Sequence, residues 1–238
     1  MRLNAYLARA GYGGRREATR LIAAGRVQVN GQVTTNPGEE IIPDKSHVRV
    51  DGKLIKRLWP LSYLVLNKPA GAITATVDPQ GRPTVYDWLG RYRQAVQSVG
   101  RLDYDTEGVL LFTNDGDLAH ALTSPQSKVQ KTYKAKIKGH LDPAQLNRLR
   151  QGVEIGGYVT APAKVQALSR LEANTWLRIT LTEGKYRQIK RMVEAVGHAV
   201  LRLTRESFGP VELGDLRPGQ FRFLDDWEIR KLREATKT

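Results

Sequence analysis

Residues 100–116 read GRLDYDTEGVLLFTNDG. Arg101 stands two positions before Asp103, Gly108 follows five positions after it, and an apolar run, Val109-Leu110-Leu111-Phe112, comes next. The pattern is that of a strand end, a polar turn rich in acids, and a second strand. Asp103, Asp105 and Glu107 lie together although the protein carries a formal charge of +14. Such a cluster is a solvated loop, a metal site or a working carboxylate. A calcium loop would use Asp103, Asp105, Glu107 and Gly108 at its first, third, fifth and sixth places. Its twelfth place needs a bidentate Glu, and the residue there is Asn114, with strand-like flanks where helices belong. The metal reading is therefore rejected. A wet surface turn suits Asp105 and Glu107.

Composition narrows the function classes. A pI near 10.1 with +14 formal charge calls for a polyanionic partner, with nucleic acid favoured over an anionic membrane. No apolar run approaches transmembrane length, and the N-terminus has no signal-peptide core, so a cytoplasmic location is expected. The absence of Cys removes disulfides, thiolate catalysis and cysteine-ligated zinc. The four His, at positions 47, 120, 140 and 198, show no ligand spacing. Without a Walker loop, GxGxxG or GxSxG, the sequence supports neither a nucleotide cofactor nor serine hydrolysis. The expectation is a soluble monomer needing no cofactor and no metal.

Two units are expected, 1–60 and 61–238. In the first, Leu3, Tyr6, Leu7 and Ala10 mark a helix ended by Gly11; Ala18, Leu21 and Ile22 mark a second, closed by Gly25. Val27-Gln28-Val29 then runs into Asn30-Gly31, a tight-turn signal, and Val48–Gly52 repeats that chemistry. This unit holds eleven Lys/Arg against five Asp/Glu, so it carries nearly half of the net charge. Residues 53–61 read as a linker. Beyond it, strands are expected at 63–67, 108–113, 131–138, 176–182 and 199–204. Helices are expected at 142–151, 185–196 and 226–235, the first opened by Asp142-Pro143. Asp115 is assigned to a turn with Asn114 and Gly116. Strands outnumber helices without regular alternation. The fold class is therefore α+β, with a mixed, largely antiparallel sheet and flanking helices.

Four motifs in order resemble those of the RsuA/RluB-type pseudouridine synthases, which modify ribosomal RNA. They are Asn67-Lys68-Pro69 with Gly71, the stretch at 100–116, Lys131-Thr132-Tyr133, and Glu183 through Met192, EGKYRQIKRM. The first unit, with Arg15, Arg16 and Arg20 off the apolar stripe of its second helix, resembles the small RNA-binding domain shared with a small-subunit ribosomal protein. Guanidinium groups on one helix face can engage successive phosphates.

The resemblance makes Asp103 the catalytic acid and gives Lys190 the place of its basic partner. The chemistry agrees in kind. Isomerising uridine breaks the bond from uracil to ribose and rejoins it through carbon, with no redox agent. A carboxylate beside a base-sized pocket can act as nucleophile or move a proton. A fixed cation helps to keep such a group ionised where water is scarce. A uracil in folded RNA must flip out to be reached, and Tyr133 offers a ring for stacking and a hydroxyl. Arg101 shares a face with Asp103 in an extended segment, and in the related family it fills the space the base leaves. Lys131 and Arg187 are further expected RNA contacts.

For the target, Asp78–Val85 and Tyr104-Asp105 look like the large-subunit enzymes, whereas His120 and Thr123-Ser124-Pro125 lean towards the small-subunit one. A uridine in large-subunit ribosomal RNA, free or in a pre-ribosomal particle, is favoured. The alternatives are a small-subunit or transfer-RNA target, or a non-catalytic ribosome-assembly protein.

Overall fold

The computed structural model describes residues 1–236. Helices α1 (Leu3–Arg9) and α2 (Arg15–Ala23) pack on a small antiparallel sheet of β1 (Val27–Val29), β2 (Gln32–Val33), β3 (Val48–Val50) and β4 (Lys53–Leu54), in the order β2-β1-β3-β4. Leu3, Leu7, Ala18, Ile22, Val27 and Val48 are fully buried between them. Asn30 and Gly31 both take positive φ, 50° and 88°, which is the twist a two-residue hairpin needs.

The second unit is one mixed sheet. Its strands are β5 (Tyr63–Lys68), β6 (Gln97–Val99), β7 (Thr106–Thr113), β8 (Lys131–Lys138), β9 (Lys164–Arg170), β10 (Asn174–Leu181), β11 (Val200–Phe208), β12 (Val211–Glu212) and β13 (Phe221–Phe223). The order is β13-β5-β7-β11-β8-β10-β9, with β6 on β7 and β12 on β11. Among the described strands only β7 and β11 pair in parallel, Leu203–Arg205 lying beside Thr106–Gly108. The helices are α3 (Gly116–Thr123), α4 (Pro143–Gln151), α5 (Gln188–Ala195) and α6 (Asp226–Glu234). The α+β expectation holds. Among the described residues no helix is long and apolar enough to cross a membrane.

Strand β7 shows why residues 109–112 are apolar without alternation. Leu110 and Phe112 enter one core with Leu64, Leu66 and Tyr86, while Val109 and Leu111 enter another with Leu118 of α3 and Leu232 of α6. A strand covered on both faces needs no polar side. A third core packs α4 and α5 on β8, β10 and β11 through Leu149, Ile189, Met192, Ile137 and Leu177.

Two expectations need correction. Asp115, expected in a turn with Asn114 and Gly116, is the N-cap of α3, a helix the sequence reading did not assign. Its carboxylate accepts from Leu118 N at 3.1 Å and is shared with Tyr63 and Arg233 at 2.9 and 2.5 Å. Helix α5 starts at Gln188, not at 185. Arg187 has φ 50°, and the Gln188 side chain accepts from Lys185 N at 3.0 Å, closing a turn ahead of the helix. Arg187 is therefore not on the same helical ladder as Lys190.

Gly108 sits where β7 and β11 touch. It has φ 105°, and a Cβ there would lie 2.2 Å from the Arg205 carbonyl oxygen. Gly108→Ala is expected to destabilise the protein by roughly 2–4 kcal/mol through strain and strand separation. Urea unfolding measures this; an unchanged midpoint would mean that the two strands part without cost.

Candidate active site

A cavity of about 310 Å³ opens over β11, β8 and the 100–106 loop, where two of the cores meet under Tyr133. Arg101, Asp103, Lys131, Tyr133, Arg187 and Arg205 all line it. The fold brings these residues together from four separate stretches of chain.

The loop carrying Asp103 is held through its backbone. Thr74 Oγ1 donates to Leu102 O at 2.9 Å and accepts from Leu102 N at 3.3 Å. Lys68, fully buried, donates to Pro69 O, Tyr104 O and Thr106 O at 3.0, 3.2 and 2.8 Å. Three carbonyls thus fix the turn and leave the Asp103 side chain free to face the cavity. Burial pushes the Lys68 ammonium down to about 8, against the pull of Asp105, Asp103 and Glu107.

Lys190, on α5, is buried with 7% of its side chain exposed, and it faces two carboxylates. Its Nζ is 3.8 Å from Asp103 Oδ2 and closer still to Asp105, to which it donates a hydrogen bond. Asp105 is therefore the nearer partner; it is exposed in a turn, as expected, but it is paired with Lys190 as well. Burial acts to raise the Asp105 carboxyl, but the Lys190 hydrogen bond and charge, with Arg187 beyond, bring it below its ordinary value. For Glu107 the wet-turn reading is corrected. It lies on β7 and accepts from Arg202 at 2.8 Å and Thr204 at 3.3 Å, tying β7 to β11.

Tyr133 is half-buried on β8. Lys131, two residues earlier, donates to Val129 O at 2.8 Å and lies 5.4 Å from the Phe208 ring centre. Burial first, and then the charge of Arg205, push Lys131 down to about 8. Arg101 and Arg187 are exposed at the mouth. The arginines of α2 lie apart from the cavity lining. Arg15 reaches Asp117 of α3 at 3.7 Å, Arg20 pairs with Glu17 at 3.5 Å, and Arg16 is exposed.

Sequence reasoning gave no site role to three residues in or beside this cavity. Asp105 was hidden because an acid in a polar turn reads as solvated. Lys68 and Arg205 were hidden because each is a cation at an inward position of an apolar strand. Strand parity was the available signal: Arg205 shares a face with Leu203, and Lys68 with Leu66.

A family model described as RNA pseudouridylate synthase matches residues 62–195, and an S4 domain model matches residues 1–42. The chain belongs to the RNA pseudouridylate synthase family. Two relatives named ribosomal large subunit pseudouridine synthase B agree with this. The one from Bacillus subtilis is 39% identical over 98% of this chain and 95% of its own length. The one from Escherichia coli is 38% identical over 99% of this chain and 83% of its own. A crystal structure described as a pseudouridylate synthase superposes with a TM-score of 0.70 at 30% identity, covering 98% of this chain and 99% of the other. In this synthase the cavity is lined by a carboxylate on a pinned turn and an aromatic ring, with a buried cation beside the carboxylate.

The two depressed lysines predict an alkaline limb. Lys68 and Lys131 both lose their charge as pH rises through about 8, so single-turnover conversion should fall in that range. Lys131→Arg stays charged there and should move the limb upward if Lys131 carries it. An unmoved limb assigns it to Lys68.

Proposed function

We propose that this protein isomerises one uridine of large-subunit ribosomal RNA to pseudouridine. The reading is carried by Asp103 and Tyr133 lining one cavity, with Lys190 buried beside Asp103, in a chain like the Bacillus large-subunit enzyme along nearly its whole length. The flipped uridine enters the cavity. Its base stacks on Tyr133, and Arg101 fills the gap left in the RNA. Asp103 acts at the sugar or base as the C1′–N1 bond breaks, the uracil turns, and C1′ bonds to C5. Lys190 holds charge beside it. Arg187 and Lys131 meet the RNA around the base. The protein acts as a cytoplasmic monomer on ribosomal RNA, free or in a partly assembled particle.

Pseudouridine mapping of ribosomal RNA from cells lacking the protein tests this. One large-subunit pseudouridine should be missing and should return when the gene is restored. An unchanged map would refute the proposal, and a missing small-subunit site would move the target.

Residues 1–60 dock RNA in this scheme and 61–238 do the chemistry. Changing Arg15, Arg16 and Arg20 together to Ala should weaken binding and lower the log–log salt slope by roughly 2.7 if all three meet phosphates of duplex-like RNA. Since Arg15 lies near Asp117 and Arg20 near Glu17, those pairs must open on binding. A fall of about 0.9 would leave one contact, assigned to Arg16.

A further inference from the structure

The cavity floor holds a cation for which the proposed roles leave no use. Arg205 is 3% exposed. Its Nε donates to Val109 O at 2.6 Å, yet one terminal nitrogen, shut off from solvent, has no hydrogen-bond partner. No carboxylate pairs with it among the described residues. Its other close neighbour is the Phe208 ring, 5.3 Å away. Buried polar groups are nearly always satisfied, and a buried charge without a partner is costly to the fold. Lys131 adds a second cation over the same ring, its ammonium held down to about 8 partly by the charge of Arg205. Two cations, neither paired with a carboxylate among the described residues, at the bottom of a cavity make a site that awaits electron-rich atoms.

Strand order says what those atoms belong to. β11 lies between β7 and β8, and Arg205 stands beside Gly108 on one neighbour and Tyr133 on the other. The Asp103 loop leads directly into β7. A base placed between Asp103 and the Tyr133 ring therefore lies over Arg205. The phosphates of a flipped nucleotide stay with the RNA backbone at the mouth, where exposed Arg101 and Arg187 lie. Only the base reaches the floor.

We propose that Arg205 is a further catalytic residue, whose guanidinium binds a carbonyl oxygen of the flipped uracil and stabilises the charge that gathers on the base as its bond to ribose breaks. This rests on the reading of the protein as a uridine isomerase. When C1′–N1 cleaves, the bonding pair stays on N1 and spreads to O2 and O4. The deficit at C1′ is met by the Asp103 carboxylate or by loss of a C2′ proton to it. The pair returns to form C5–C1′, N1 gains a proton and C5 loses one, so nothing is consumed. A donor fixed in a dry site stabilises such an anion strongly, because no solvent must reorganise. A contact to O4 would also favour uracil over cytosine, whose amino group at C4 would turn a donor towards the guanidinium; a contact to O2 would not discriminate.

Two variants and a substrate change test it. Arg205→Met should slow single-turnover conversion about 10²–10³-fold, with Arg205→Lys between it and the parent. RNA affinity should stay within about twofold, since phosphate contacts dominate it. Synthetic RNA with 2-thiouridine or 4-thiouridine at the target puts a poorer acceptor at each carbonyl in turn. One of the two should slow the parent markedly and slow Arg205→Lys much less. If Arg205→Met does not fold, the Lys variant carries the comparison. Equal thio effects in parent and Arg205→Lys, or parent-like rates in Arg205→Lys, overturn the proposal. A parent that makes no pseudouridine in any RNA defeats the isomerase reading instead.

Discussion

Asp103→Asn should leave a folded, RNA-binding protein that makes no pseudouridine. The substitution keeps size and polarity and removes the charge. The fold should not notice. The turn is held by Thr74 on Leu102 and by Lys68 on Tyr104 and Thr106, all through backbone oxygens and nitrogens. Among the described residues the Asp103 side chain's ion pair is with Lys190, at 3.8 Å. Stability should therefore change by no more than about 0.5 kcal/mol. The rate is another matter. Loss of the group that attacks or moves the proton should cost at least ~10⁴-fold. A single-turnover assay beside a binding isotherm separates the two effects. Near-parental conversion would remove Asp103 from the chemistry and leave the protein as an RNA-binding factor with a synthase fold.

Lys190→Met should be nearly as damaging, for a different reason. Lys190 is the buried cation between Asp103 and Asp105. Without it Asp103 and Asp105 lose the cation they share, and like charges around one site disfavour each other's ionised form. We expect conversion to fall by at least ~10²-fold, and Lys190→Arg, which restores the charge, to recover most of it. Asp105→Asn tells which pair matters. It leaves Lys190 wholly to Asp103, so conversion should persist if that ion pair is what the reaction needs. If Asp105→Asn falls as far as Lys190→Met, the cation acts by holding the loop. The Asp105 pair also has a sign in pH. Its carboxyl lies below the ordinary value in the folded protein, so what the pair adds to stability is present above the unfolded value of about 3.9 and is lost as pH falls through the folded one. Assays at neutral pH keep it intact.

Much of this protein was legible before its structure. Asn30-Gly31 could hardly be anything but a hairpin turn. Lys131–Lys138 was read as a strand to the residue. The order of four motifs named the family, and the chain's charge named the kind of partner. These are local properties. Turn geometry, strand propensity and capping depend on a few neighbouring residues, and the family motifs are runs of adjacent residues.

What the tertiary structure alone decided is which groups meet across the sheet. Asp103 and Asp105 look alike in sequence, yet Asp105 is the one Lys190 reaches first. That choice is set by a turn pinned from Lys68 and Thr74, far back along the chain. Arg187 looked like part of the α5 ladder until its left-handed backbone set it outside. Arg205 looked like any arginine in a strand. Its importance comes from standing between Gly108 and Tyr133, on a parallel pairing that no adjacent residue specifies. Propensity acts over a few residues along the chain. Charge pairing and burial act over a few ångströms in space, and only the folded sheet converts one distance into the other.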